Sequence, residues 1–289
     1  MKFVCFSWGD ERHLGVLNAK KQVVCLRDLG LCFKDMNDLI LNSASFKLTK
    51  EQVESAPAID LAQEKFLAPI PEPLQDVICL GINFLAHAKE SAKFRGEKFE
   101  RRENAVYFSK RVNHATAPFG KIPLHDAVTK ELDYECELAV ILGREAYKIK
   151  AEDAPAYIFG YTIINDISAR DLQGKHKQFY RAKSLEGSTV MGPYITTSDE
   201  VAYPPELALK SFVNGELRQN DNTKNFIFDI GYVLEELSSG MRLLAGSIIS
   251  MGTPSGVGMG LCPPQFLKEG DEVRCEIENL GTLCNRIVL

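Results

Sequence analysis

Hydrophobic and polar positions alternate with period two through residues 132–142 (LDYECELAVIL). Leu132, Tyr134, Cys136, Leu138, Val140 and Leu142 fall on one face, and Asp133, Glu135 and Glu137 on the other. Successive strand side chains point to opposite faces, so the pattern predicts a half-buried strand with one acidic side. The same reading predicts short strands in residues 1–8, 13–19 and 22–29, separated by polar turns. Helical patterns follow over 34–43 and 50–65, the second opened by Thr49 as N-cap with Gln52 three residues on. Pro69, Pro71 and Pro73 then impose an extended link, because proline locks φ and lacks an amide donor. Residues 1–68 therefore read as a small α+β domain and residues 69–289 as the main one.

Beyond the link, VICLGINF runs as a strand into a helix over 83–92. The charged 91–104 segment reads as a loop or exposed helix and as a candidate lid. AVYFSKRV is a further strand, and the apolar run 161–164 is another, ending in Asn165-Asp166. Ser168 is placed to N-cap a short helix, and PYITT reads as a strand. Asn214-Gly215 marks a two-residue hairpin, 226–243 an amphipathic helix, and 270–289 a hairpin around Asn279-Leu280-Gly281. SIISMGTPSGVGMG passes from a buried strand into a glycine-rich loop. That loop lacks the GxGxxG spacing, and Pro263 and Pro264 bar a helix behind it. A loop offering Thr253, Ser255 and free amides to an anion is the reading that remains.

Composition narrows the function classes. The 289 residues are 45% hydrophobic and 25% charged, as in an ordinary globular protein, with a net charge of −5. No basic stripe or tail offers itself to nucleic acid or anionic lipid. No apolar run matches a membrane span, and the N-terminus lacks a signal-like apolar stretch, so a cytoplasmic location is expected. The eight cysteines are scattered singly without CxxC spacing, as buried reduced thiols would be.

The chemistry-bearing positions are few. Glu135 and Glu137 project side by side, and carboxylates that close repel unless a cation lies between them. Asp166 adds a third carboxylate at a strand end, and three hard oxygens without a soft ligand suit an ion such as Mg²⁺. The same spacing also suits a plain solvated acidic face. His87 and Glu90, three apart on one helical face, can form a base whose carboxylate holds the imidazole tautomer, or an ordinary surface pair. Lys110 shares a strand face with Phe108 near the strand end, the place of a surface lysine. Lys175, His176, Lys177, Arg181 and Lys183 fall within nine positions, fit for an anionic substrate or for a solvated basic loop.

Taken in order, GINFLAHAKE, FSK, LDYECELAVILG, GYTIINDISARDLQ, RAKSLEGSTVMGP, VNGELRQNDNT, SIISMGTPSGVG and GDEVRCEIENLGTL resemble the fumarylacetoacetate hydrolase family over about residues 75–289. The resemblance implies a mainly β fold with some α, a rolled mixed β-sandwich preceded by the small α+β domain, and a homodimer. It implies Mg²⁺ or Mn²⁺ held by Glu135, Glu137 and Asp166, with His87, Glu90 and Lys183 as catalytic residues. Arg181, Gln173, Thr253 and the loop from Gly252 match substrate-holding positions, with Lys110 a further candidate. The implied activity is metal-dependent C–C bond hydrolysis of a 2-oxo acid such as an acylpyruvate. Oxaloacetate decarboxylation, isomerisation of a 2-hydroxyhepta-2,4-diene-1,7-dioate-type diacid, or a catalytically inactive metal-binding member are the alternatives. Two departures bear on the substrate: Asn83-Phe84 stands where the family often has Asn-Tyr, and Lys183-Ser184-Leu185-Glu186 where many members read Lys-Ser-Phe-Asp.

Overall fold

The computed structural model describes residues 1–100 and 103–289. Strands run in the order β1 (Lys2–Trp8), β2 (Glu11–Leu17), β3 (Val23–Cys25), β4 (Phe66–Leu67), β5 (Val77–Gly81), β6 (Val106–Lys110), β7 (Lys121–Pro123), β8 (Leu132–Asp133) and β9 (Cys136–Leu142). They continue with β10 (Ile158–Asp166), β11 (Ser168–Ala169), β12 (Thr189–Thr197), β13 (Ala208–Val213), β14 (Glu216–Asn222), β15 (Ile248–Ser250), β16 (Glu272–Ile277) and β17 (Gly281–Val288). The α-helices are α1 (Met36–Leu41), α2 (Lys50–Ser55), α3 (Leu85–Phe94), α4 (Arg170–His176), α5 (Tyr180–Lys183) and α6 (Ile230–Gly240).

Two mixed sheets face each other. One has the order β3-β2-β1-β12-β10-β9-β15-β5-β6 with β4 paired to β1; the other is β14-β13-β16-β17-β7. Their inner faces meet in one core, where Leu138, Val140, Tyr161 and Ile163 pack with Leu209, Val273, Leu283 and Ile287. The residues before the proline link keep their α+β character and extend the first sheet, since Lys2 and Phe3 pair with Thr196 and Ile195. They also share its second core: Phe3, Val16, Met36 and Leu39 pack with Ala139, Ile141 and Ile164.

The alternation in residues 132–142 holds, but the strand is buried on both sides. The even face enters the inter-sheet core, while Ala139 and Ile141 on the other enter the second core. The acidic face of Glu135 and Glu137 continues that buried face and is not solvated. The strand is also broken, because Tyr134 and Glu135 lie between β8 and β9.

Local signals decide where other elements end. Thr49 and Gln52 form a capping box, and α2 stops at Ser55 because Ala56 precedes Pro57, which disfavours helical backbone. The amphipathic 226–243 pattern is helical only from Ile230, where the Asp229 side chain accepts from the Tyr232 amide. Ser168 does not cap α4; its hydroxyl donates to the Asp166 carbonyl, and Ala169 stands at the N-cap. Asn214 and Gly215 both have positive φ, as a hairpin turn between β13 and β14 requires. Of the 91–104 segment, residues 91–94 complete α3, and Arg101 and Arg102 lie outside the described residues. Among the described residues, no helix is long and apolar enough to cross a membrane.

Candidate active site

The buried Asp, Glu, Lys and Arg side chains among the described residues gather in one place: Lys110, Asp133, Glu135, Glu137, Asp166, Arg170 and Lys183. Backbone pairing puts the first carboxylates together. Asn165 pairs with Cys136, the Asp166 amide donates to the Glu135 carbonyl at 2.8 Å, and the Glu135 amide donates to Asn165 Oδ1 at 3.0 Å. Asp166 thus comes to Glu135 and Glu137 on one face, and the three offer oxygens within 4.8 Å of one another.

Cations answer two of the three. Lys183 donates to Glu135 Oε2 at 2.5 Å and to Asp166 Oδ2 at 2.8 Å. Lys110 donates to Asp166 Oδ1 and to the carbonyl of Ser188 at 3.0 Å. Glu137 receives only neutral donors, the Ser250 hydroxyl at 2.5 Å and the Gly252 amide at 3.1 Å. Burial raises the Glu135 carboxyl, but Lys183 and Arg170 outweigh it and hold the group below the usual carboxylate range. Glu137 is pushed well above that range by burial and by the charges of Asp166 and Glu135. Four buried carboxylates against three buried cations leave a net −1. A hard-oxygen donor set with residual negative charge and one carboxylate lacking a cationic partner fits a divalent metal ion.

Arg170 is the charged residue that sequence reasoning missed. Its Nε donates to Asp133 at 2.9 Å and its Nη1 to Glu135 at 2.6 Å, while its Nη2 is buried without a partner among the described residues. It stands three positions before Gln173 and in no recognisable spacing with the acids; only its place at the start of α4, just past the Asp166 strand, could have flagged it. Arg181 was expected on the substrate and is instead exposed. Residues two apart on a helix point about 200° away from each other, so with Lys183 turned inward Arg181 faces out. Lys110 is likewise no substrate contact and no surface lysine. It is fully buried, and all its bonds go to protein oxygens behind Asp166. Four strand spacings of about 4.8 Å separate β6 from β10 in a flat sheet, so its contact with Asp166 requires the sheet to curl.

Helix α3 brings His87 into the cleft, with Nδ1 3.0 Å from Glu90 Oε2. Glu90 Oε1 in turn accepts from the Gly256 amide at 2.9 Å. Gly260 lies so close that a Cβ there would stand 1.8 Å from Glu90 Oε1 and would push the carboxylate out of this place. Four of the loop amides are not free for an external anion. Gly252 serves Glu137, Gly256 serves Glu90, and Gly258 and Met259 donate to Asp133 at 2.7 and 3.1 Å. Buried carboxylates demand donors, and the nearest amides are spent on them. The Thr253 hydroxyl donates to the Cys136 carbonyl and accepts from Gln219, yet Thr253 and Gln173 both line the cleft.

The cleft encloses about 530 Å³. Glu135, Glu137, Arg170 and Lys183 form its charged end, and Phe94, Phe108 and Phe179 its apolar wall, with Arg95 and Lys177 also lining it. Lys183 Nζ sits 5.2 Å from the Phe108 ring centroid, which favours the ammonium over the neutral amine.

Residues 76–288 match the family model described as fumarylacetoacetate (FAA) hydrolase C-terminal. The oxaloacetate tautomerase YisK of Bacillus subtilis is 44% identical over 227 residues, 78% of this chain and 74% of that protein. The structure of a fumarylacetoacetate hydrolase from the psychrophile Exiguobacterium antarcticum superposes with a TM-score of 0.86 at 36% identity, over 100% of this chain and 99% of that one. A maleylpyruvate hydrolase from Sphingobium, solved with manganese and pyruvate, gives a TM-score of 0.78 at 26% identity over 100% and 99%.

Proposed function

Because the chain belongs to the fumarylacetoacetate hydrolase family, we propose that it is a divalent-metal-dependent enzyme that interconverts the keto and enol forms of a 2-oxo dicarboxylic acid of the oxaloacetate type. The observation that carries this reading is the position of His87. Its Nδ1 is tied to Glu90, so its Nε2 is the nitrogen left to exchange a proton inside a cleft that Glu135 and Glu137 of the acidic triad also line.

Glu135, Glu137 and Asp166 would hold the metal, Mg²⁺ or Mn²⁺, which would supply Lewis-acid polarisation of the substrate's 2-oxo oxygen. Arg170 Nη2, buried and unpartnered, takes a substrate carboxylate, since a buried N–H without an acceptor is costly until one arrives. Lys183 places positive charge where the enolate oxygen develops. Glu90, anchored by the Gly256 amide, holds the His87 tautomer while Nε2 removes and returns the C3 proton. Helix α3 and the phenylalanines give the cleft an apolar wall on which the rest of the substrate lies.

A second reading, hydrolysis of the C–C bond of an acylpyruvate, is favoured by the size of the cleft and its apolar wall, which exceed what oxaloacetate needs. Here His87 would activate water for attack on the distal carbonyl. Turnover of oxaloacetate, acetylpyruvate, fumarylpyruvate and a hydroxymuconate-type diacid, with Mg²⁺, Mn²⁺ or chelator and products followed by NMR in D₂O, separates the two. Metal-dependent deuterium exchange at C3 of oxaloacetate supports tautomerisation, whereas cleavage of an acylpyruvate without it supports the hydrolase. In either case Arg170→Ala lowers kcat/KM by about 10–100-fold, the worth of a charged hydrogen bond, and Arg181→Ala leaves it unchanged. Equal losses in the two variants would remove Arg170 from the site.

A further inference from the structure

The glycine-rich loop has two faces. One lines the catalytic cleft through Thr253 and Met259; the other packs against the backbone of Arg218 and Gln265, which line a second cavity of about 410 Å³. This close packing is possible because the loop's glycines admit backbone against backbone. A Cβ on Gly256 would stand 2.0 Å from the Arg218 carbonyl oxygen, and one on Gly258 2.1 Å from that of Gln265. Arg218 and Gln265 belong to the second cavity.

Charge in that cavity is lopsided. Lys130, Arg218 and Lys268 line it against the single carboxylate of Asp271, whose oxygens already accept from Asn214 Nδ2 and the Lys268 amide, each at 2.8 Å. Arg218 is the inner cation, with its side chain only 11% exposed. Its Nη2 donates to Gln265 Oε1 at 2.9 Å and pairs with the exposed Glu216 at 3.1 Å, but its Nε is buried with no partner among the described residues. Even with Glu216 and Asp271 counted, one positive charge remains. Apolar surface from Phe266 and Leu267 flanks the cations.

We infer that this cavity is a second ligand site, for a small organic anion that carries a phosphate or carboxylate group on an apolar body. The anionic group answers the unpaired Arg218 Nε and the two lysines, and the body lies on Phe266. The site bears on the catalytic one through two hydrogen bonds. Tyr134, which lines the second cavity, donates its hydroxyl to the Gly256 carbonyl at 2.8 Å, and the Gly256 amide holds Glu90, the partner of His87. A ligand against Arg218 and Tyr134 therefore lies two hydrogen bonds from Glu90.

Phenyl phosphate titrated into the full-length protein with Mg²⁺, read by the backbone amide resonances, tests this. The Gly256 and Gly258 signals shift saturably, Arg218→Gln raises the midpoint at least tenfold, and phenol at the same concentrations moves neither signal. Lys268→Gln, a change at an exposed position, raises the midpoint about threefold and guards against a folding defect in the arginine variant. Benzoate in place of phenyl phosphate tells whether a carboxylate serves as well. A midpoint unaltered by both variants, or no saturable shift at Gly256 and Gly258, would overturn the assignment.

Discussion

Glu137 shows how a single buried carboxylate sets the terms for a site. Its neighbours Glu135 and Asp166 have lysines; it has a hydroxyl and an amide. Burial and the two adjacent charges raise its proton affinity, so in the folded metal-free protein it keeps its proton to a higher pH than an ordinary carboxyl. Glu137→Gln keeps the shape and the Ser250 and Gly252 contacts while removing the charge. The metal-free variant is expected to melt no lower than the parent near neutral pH, and its affinity for Mn²⁺ to fall by more than about 100-fold, beyond what loss of an outer-shell group costs. Calorimetric melting with and without metal checks both, and a variant that still binds Mn²⁺ at the parent affinity would sink the ligand assignment. Arg170 and Arg181 carry the complementary lesson, since both are cations near the acids in sequence and only their rotation about short helices separates them.

At the scale of elements, the site depends on contacts between the two sheets. Gln219 on β14 is fully buried, and its amide is spent on three partners. Nε2 donates to Thr253 Oγ1 at 2.7 Å and to the Pro254 carbonyl at 2.8 Å, and Oε1 accepts from the Cys136 amide at 3.1 Å. Thr253 closes the ring by donating to the Cys136 carbonyl at 3.0 Å. Cys136 lies between the two glutamates, so the second sheet holds the peptide that aims them. Gln219→Leu would leave a buried donor unpaired at about 1–3 kcal/mol and weaken metal binding roughly 10–100-fold, as outer-shell changes do. Unfolding in urea and Mn²⁺ titration measure the two effects separately. Unchanged metal affinity in a folded Gln219→Leu protein would make the residue purely structural.

For the whole molecule, the cluster of seven charges couples folding, metal and pH. Glu135 has a lowered folded pKa, so its stabilising share is present above the ordinary carboxylate value and is lost as pH falls through the lowered one. Glu137 runs the other way, because with a raised folded pKa it disfavours the metal-free fold increasingly as pH rises from the ordinary carboxylate value to the raised one. A divalent ion that takes the ionised form reverses this penalty. Metal is therefore expected to stabilise the protein, by about 2.7 kcal/mol at one hundred times Kd, and to release protons as it binds. The melting increment should shrink on acidification through the range in which Glu137 takes up its proton. Calorimetry in buffers of different ionisation enthalpy detects the released protons, and a pH-independent increment would contradict the account.

The strand pattern of residues 132–142, the Asn214-Gly215 hairpin, the Thr49 capping box and the His87–Glu90 spacing were legible in the chain because each rests on local geometry, period two for a strand or three residues on a helix. The acidic triad was legible in part, as two carboxylates on one strand face and a third at a strand end. Tertiary structure alone decided that the acidic face is buried, since alternation reads the same whether the polar side meets water or a second core. It also turned Lys110 from a surface position into the support of Asp166, through a sheet curl that no local pattern encodes. It chose Arg170 over Arg181 and aimed four of the loop amides at the protein's own carboxylates, because those outcomes follow from burial, where an ionised carboxylate must be met by cations or donors. Periodicity is a property of neighbours along the chain; pairing of buried charge is a property of neighbours in space.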